Sequence, residues 1–193
     1  MSAAYPGALI RPAQPDDAAR VARLLALRGI TADEALEQAP RMIAALPVLL
    51  LASLPLGPAA DDPQARVEDA EVRASADIGI GDDASAPVAL SGAFLLPGDL
   101  EEGRPERWMV SGLIVDPAAR RRGIGRALLA AVASAVQEVA PGEDLFSVVE
   151  TANHASVATH LAAGFETAAH VDGYAGLVFD DALLMRLPGA ADH

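Results

Sequence analysis

Between Arg107 and Val139 the apolar residues change period, and this change constrains the fold more than any other feature of the chain. The segment Arg107 to Val115 alternates and predicts a strand, whereas Ile124, Leu128, Ala131, Val132, Ala135 and Val139 recur at helical spacing. Pro141-Gly142 closes the predicted helix. A strand passing through a short turn into an amphipathic helix is one half of a βαβ unit, so the chain is expected to be α/β. With 193 residues it is long enough for about one domain. Its 52% hydrophobic content supplies the core of a folded protein.

The flanking segments extend the pattern. Leu9 and Ile10 begin an apolar stretch, and Asp16-Asp17-Ala18 marks a helix start running to about Arg28. Thr31 with Glu34 forms a capping box for a second helix ending near Pro47. The uninterrupted run Val48 to Ala52 predicts a strand buried on both faces. Val88 to Leu96 predicts an antiparallel partner for the 107–115 strand, with Pro97-Gly98-Asp99 and Gly103 as turn signals. Leu145 to Val149 reads as a strand, Ala155 to Ala163 as a helix stopped by Gly164, and Ala182 to Leu187 as a closing strand. Residues 57–86 carry eight carboxylates against Arg66 and Arg73, which predicts a long, flexible acidic loop with at most a weak strand near Val67 to Val72.

Charge and composition narrow the function classes. A net charge of −13 repels phosphodiester backbones, so nucleic acid is not expected as a partner. The absence of cysteine excludes disulfides and thiolate metal sites, no metal is expected, and a cytoplasmic location follows by default. No signal-peptide pattern opens the chain, and the apolar run from Met42 to Leu56 is broken by Pro47 and Pro55, so no membrane span is expected.

Against that acidic background, Arg120, Arg121, Arg122 and Arg126 crowd into the turn where the central helix begins, beside Gly123 and Gly125. Helix N-termini present N–H groups without intrahelical acceptors and a positive dipole end. Glycines let a ligand approach the backbone, and arginine suits multidentate phosphate contacts. The stretch therefore predicts an anion site. A dinucleotide fingerprint would want glycine where Leu128 stands, and the chain has no lysine for a nucleoside-triphosphatase phosphate loop.

The pattern Val115-x-Pro117-x-x-Arg120-x-x-Gly123-x-Gly125, followed downstream by Asn153 and Gly164-Phe165, resembles the acetyl-CoA signature of the GNAT N-acetyltransferase superfamily. The correspondence spans about Trp108 to Phe165. It implies a single GNAT-like domain over 1–193, with a central mixed sheet splayed between its fourth and fifth strands and flanked by helices. It also implies acetyl-CoA as co-substrate. Backbone groups of Leu113, Ile114 and Val115 would pair with the pantetheine arm, the loop Arg120, Arg121, Arg122, Gly123, Ile124, Gly125 and Arg126 would hold the pyrophosphate, and Asn153 would contact the arm.

For catalysis, the family's usual tyrosine acid, seven residues after the asparagine, is replaced by His160, so the imidazole either donates the proton or packs on the helix, with Tyr174 as a fallback donor. The family's glutamate slot holds Val148. Glu150, two residues on and on the same strand face, is the expected base, with Glu106 behind it. His154 is expected to be exposed. The implied activity is transfer of an acetyl group to a primary amine, a small cationic molecule or peptide, without a covalent enzyme intermediate. The alternative is a non-catalytic acyl-CoA sensor. The resemblance further implies a homodimer to which the apolar C-terminal strand would contribute.

Overall fold

The computed structural model describes residues 3–5, 8–54, 86–99, 101 and 103–189. In chain order the strands are β1 (Ala3–Tyr5), β2 (Ala8–Pro12), β3 (Val48–Ser53), β4 (Pro87–Leu96), β5 (Arg107–Val115), β6 (Leu145–Glu150), β7 (Glu166–Tyr174) and β8 (Leu177–Leu187). The helices are α1 (Ala18–Ala26), α2 (Ala32–Ala45), α3 (Ile124–Val139) and α4 (His154–Ala162). All described strands join one sheet in the order β1-β2-β3-β4-β5-β6-β8-β7. The acidic segment expected as a loop, together with its weak strand, lies outside the described residues apart from Ala86.

Every pairing is antiparallel except β5 with β6, which are parallel. That pair holds register only at Trp108 with Leu145 and Met109 with Phe146. Beyond Met109 the two strands diverge, which is the expected splay. Counted from β2, they are the fourth and fifth strands; the short N-terminal β1 makes them fifth and sixth. A bulge contributes to the divergence. The β4–β5 register shifts between Ser91 and Ala93, and Gly112 sits opposite at φ +123°, a conformation open to glycine. Bulges bend a strand and increase its twist, carrying the end of β5 away from β6.

Two layers of helix cover the sheet. On one face, Ile124, Leu128, Val132 and Val136 of α3 pack on Leu50, Ala52 and Ala89. On the other, Val21, Leu24 and Leu25 of α1 pack on Leu49, Leu51 and Leu90. Successive β3 residues thus enter opposite layers, which is why this strand reads as one continuous apolar run. The buried stripe of α3 uses Val136, while Val139, expected on that stripe, is 58% exposed.

Local signals act as expected at α2. Thr31 Oγ1 accepts from the Glu34 N–H at 3.3 Å, and Glu34 Oε2 accepts from the Thr31 N–H at 2.9 Å. The helix stops at Ala45 because Pro47 drives the preceding Leu46 to extended geometry, φ −81°, ψ 123°. At the N-terminal side of α1, the buried Asp17 binds both guanidinium nitrogens of Arg11 at 2.6 and 2.7 Å. This pair holds the Asp17 carboxyl below the usual carboxylate range.

Strand β7 escapes the sequence pattern because its side chains are mostly exposed and show no apolar alternation. It joins β8 through Ala175-Gly176, both at positive φ (52° and 79°), the geometry of a tight hairpin turn. β8 accordingly starts at Leu177, ahead of the expected Ala182. Among the described residues no helix is long and apolar enough to cross a membrane.

Candidate active site

The turn leaving β5 is built by side chains that bind backbone. Asp116 Oδ1 accepts from the Ala118 N–H at 3.0 Å, and its other oxygen meets Arg23 Nη1 at 3.2 Å. Arg120 Nε donates to the Val115 carbonyl at 3.2 Å, folding the loop back over the strand end. Arg121 (φ 62°) and Gly123 (φ 75°) then take left-handed conformations. For arginine this geometry costs about 1 kcal/mol, a strain that clusters at functional loops. Gly123 is the N-cap of α3 and no side chain caps the helix, so its first N–H groups are left for another acceptor.

These groups open on a cavity of about 780 Å³. Arg120, Arg121, Gly123, Ile124 and Arg126 form its mouth, and Leu113 and Val115 of β5 continue its wall. Asn153, Ser156 and Thr159 of α4 close the opposite side. Gly125 keeps the passage wide. A Cβ there would stand 3.2 Å from Thr159 Cγ2 and 3.4 Å from Leu113 Cδ2. Two expected residues are not on this wall. Ile114, next to Leu113 in the alternating strand, turns its side chain into the core on the α1/α2 face, and Arg122 is exposed beside the mouth.

A second cavity of about 340 Å³ occupies the splay between β5 and β6. It is bounded by Val110, Gly112 and Leu113 on one strand and by Ser147 to Glu150 on the other, with His160, Phe179 and Arg28 completing it. The two cavities meet at Leu113, Asn153 and Ser156. Asn153 is held there by its own helix, because its Oδ1 accepts from the Ser156 N–H at 3.1 Å as the N-cap of α4.

The structure brings Glu150 and His160 into the same small cavity. Glu150 is exposed at the end of β6. His160 is 2% exposed, with Nδ1 at 2.8 Å from the Ser156 carbonyl oxygen, its ring edge-on to Phe165 and Nε2 without a hydrogen-bond partner. Burial pushes its pKa below the ordinary histidine value, only partly opposed by the bond to Ser156. The imidazole is therefore neutral at pH 7: Nδ1–H donates to Ser156, and Nε2 carries the lone pair. Val148, in the family's glutamate slot, lines this cavity too. Glu106 and Tyr174 lie outside both cavities, the Tyr174 hydroxyl accepting from Arg107 Nη1 at 3.3 Å. His154 is exposed. Arg28 and Phe179 belong to no sequence motif; they reach the site only through tertiary packing.

Residues 55–165 match the model of the acetyltransferase (GNAT) family. The chain belongs to the GNAT acetyltransferase family. Similar solved structures share its fold. One is yncA of Salmonella typhimurium with its cofactor acetyl-CoA, at TM-score 0.60 and 16% identity, covering 94% of each chain. Another is a phosphinothricin acetyltransferase from Sinorhizobium meliloti in complex with acetyl-CoA, at TM-score 0.59 and 18% identity, covering 95% of this chain and 89% of that one. A third is spermidine N-acetyltransferase SpeG of Vibrio cholerae, at TM-score 0.59 and 14% identity, covering 95% of each. No curated protein matches the chain by sequence.

Acetyl-CoA is the co-substrate of GNAT enzymes, and the larger cavity has the chemistry it requires. Uncapped N–H groups and arginines at the mouth suit a diphosphate, while beyond Met109 the β5 edge facing β6 has no strand partner among the described residues and can pair with an amide-bearing arm.

Proposed function

We propose that this GNAT protein transfers the acetyl group of acetyl-CoA directly to a primary amine. The observation that carries the reading is the junction at Leu113, Asn153 and Ser156, where a cationic, amide-lined cavity meets a second cavity that holds a carboxylate and an imidazole. Acetyl-CoA supplies the acetyl group as an activated thioester. The mouth of α3, with Arg120, Arg121 and Arg126, binds the diphosphate, and Arg122 adds charge beside it. Backbone groups of Leu113, Ile114 and Val115 bind the arm, and the Asn153 side-chain amide borders it. An N–H of β5 donates toward the acyl oxygen as negative charge develops there, a contribution of about 3–4 kcal/mol in enzymes that use it.

The attacking amine needs a free lone pair, so its proton must leave. Glu150, exposed to water at the end of β6, takes that proton. His160, neutral and packed edge-on against Phe165, shapes the wall of the second cavity rather than exchanging protons with the substrate. Donation of a proton by His160 to the departing thiolate, the expectation from the family's tyrosine slot, is disfavoured by the depressed pKa, because the protonated form is scarce at neutral pH. With no cysteine in the chain, the commonest acyl-enzyme nucleophile is missing, consistent with direct attack.

Calorimetry with acetyl-CoA and a thiol-release assay over a panel of amines test the reading together. Binding followed by amine-dependent CoA release is the expected result. Binding without release on any amine overturns it.

A further inference from the structure

The 340 Å³ cavity contains a charge that amine acetylation does not require. Arg28, just past the C-terminal end of α1, lines it and lays its guanidinium on the bulge of β5. A Cβ built on Gly112 would stand 3.2 Å from Arg28 Nη1, so the missing side chain at 112 is what gives the guanidinium its place.

Among the described residues Arg28 meets no carboxylate, in a chain with 27 acidic and 14 basic residues. Several other arginines find acids or carbonyls: Arg11 with Asp17, Arg23 with Asp116, Arg186 with Asp144, Arg120 with Val115, whereas the exposed Arg41 and Arg122 find none among the described residues. Among the described residues no hydrogen bond, ion pair or ring contact engages the Arg28 guanidinium. The same holds for Arg121 and Arg126, which face the anion cavity.

Across the cavity from the β5 wall, β6 presents Glu150, and Ser147, His160 and the apolar Val110 and Phe179 also line the space. The lining of this space therefore combines a guanidinium, a carboxylate and apolar side chains. An acceptor with two ammonium groups would set one of them against Arg28. An acceptor bearing an amine and a carboxylate satisfies both charges, because guanidinium binds carboxylate in a bidentate fork.

We infer that the acceptor is an amino acid, or a molecule with the same pairing of amine and carboxylate, and that Arg28 is the residue that selects it. This rests on the acetyl-transfer reading and narrows its substrate class. The strongly acidic character of the whole chain acts at long range and is screened by salt, whereas the choice between acceptors is made by the groups in contact.

The test uses the intact protein and matched pairs that differ by one carboxylate: leucine and isopentylamine, phenylalanine and phenethylamine, lysine and cadaverine. CoA release is followed for the wild type and for Arg28→Gln and Arg28→Lys. In the wild type kcat/KM favours the acid of a pair by about 10- to 100-fold, the range of a hydrogen bond to a charged group. Arg28→Gln collapses that ratio mainly through KM, and Arg28→Lys recovers part of it. Arg28 is exposed and outside the acetyl-CoA cavity, so acetyl-CoA affinity within about twofold of wild type certifies the fold of each variant. Transfer to amines without preference for the acid, or a ratio unchanged in Arg28→Gln, overturns the inference and leaves acetyl transfer standing. Absence of release on every amine overturns the acetyl-transfer reading and, with it, the narrower claim.

Discussion

His160 Nδ1 lies 2.8 Å from the carbonyl oxygen of Ser156, one turn earlier on the same helix. That bond fixes the tautomer, and burial keeps the ring neutral. The native pKa lies below the ordinary value of 6.5, so as pH falls through 6.5 the unfolded chain binds the proton first. Stability is complete above that pH and declines toward the lower native pKa. Denaturant midpoints measured between pH 7.5 and 5 should show this fall in the wild type. In His160→Phe, which keeps an aromatic ring beside Phe165, the slope over that interval should be reduced.

Glu150→Gln should lower kcat about 100-fold or more at neutral pH, the usual scale for removing a general base, with acetyl-CoA affinity preserved. The deficit should shrink as pH rises toward the amine's own pKa, because free amine then forms without help. Steady-state rates from pH 6.5 to 10 check this, and a constant deficit across that range would assign Glu150 another role.

The double substitution Arg121→Glu and Arg126→Glu should raise the Kd for CoA by roughly 10- to 100-fold at low salt. The difference from wild type should narrow at high ionic strength, since these side chains are close to solvent. Titration calorimetry at two salt concentrations measures both effects.

Gly125→Leu should fill the passage between α3, α4 and β5, where a Cβ alone already comes within 3.2 Å of Thr159 Cγ2. A leucine there occupies space the ligand would need, so the Kd for acetyl-CoA should rise by roughly tenfold or more, and its crowding against Thr159 and Leu113 should cost about 1–3 kcal/mol of stability. Leucine's better helix propensity offsets at most about 1 kcal/mol of that cost, so the melting temperature should fall modestly while affinity falls further.

What could be read in advance was local. The capping box of Thr31 and Glu34 closes within one turn, the Pro47 stop acts on its neighbour, and the loop proposed to hold the diphosphate is contiguous from Asp116 to Arg126. What escaped was assembled across the chain. β7 gave no signal because exposed side chains carry no burial period. Arg28 gave none because its place depends on a bulge at Gly112 in a distant strand. His160 could be marked by its distance from Asn153, yet its neutral state follows from packing against Phe165 and bonding to Ser156.

The sequence by itself determined the α/β class, most of the strands and helices, and the arginine-glycine turn that lines the larger cavity, because periodicity, capping and turn chemistry act over a few residues. Only the tertiary structure decided that β5 and β6 part after two paired positions, and that the gap between them carries Arg28 at one wall and Glu150 at the other. An unpaired strand edge and the charge facing it are set by twist, bulge and long-range packing, and these exist only once distant segments have met.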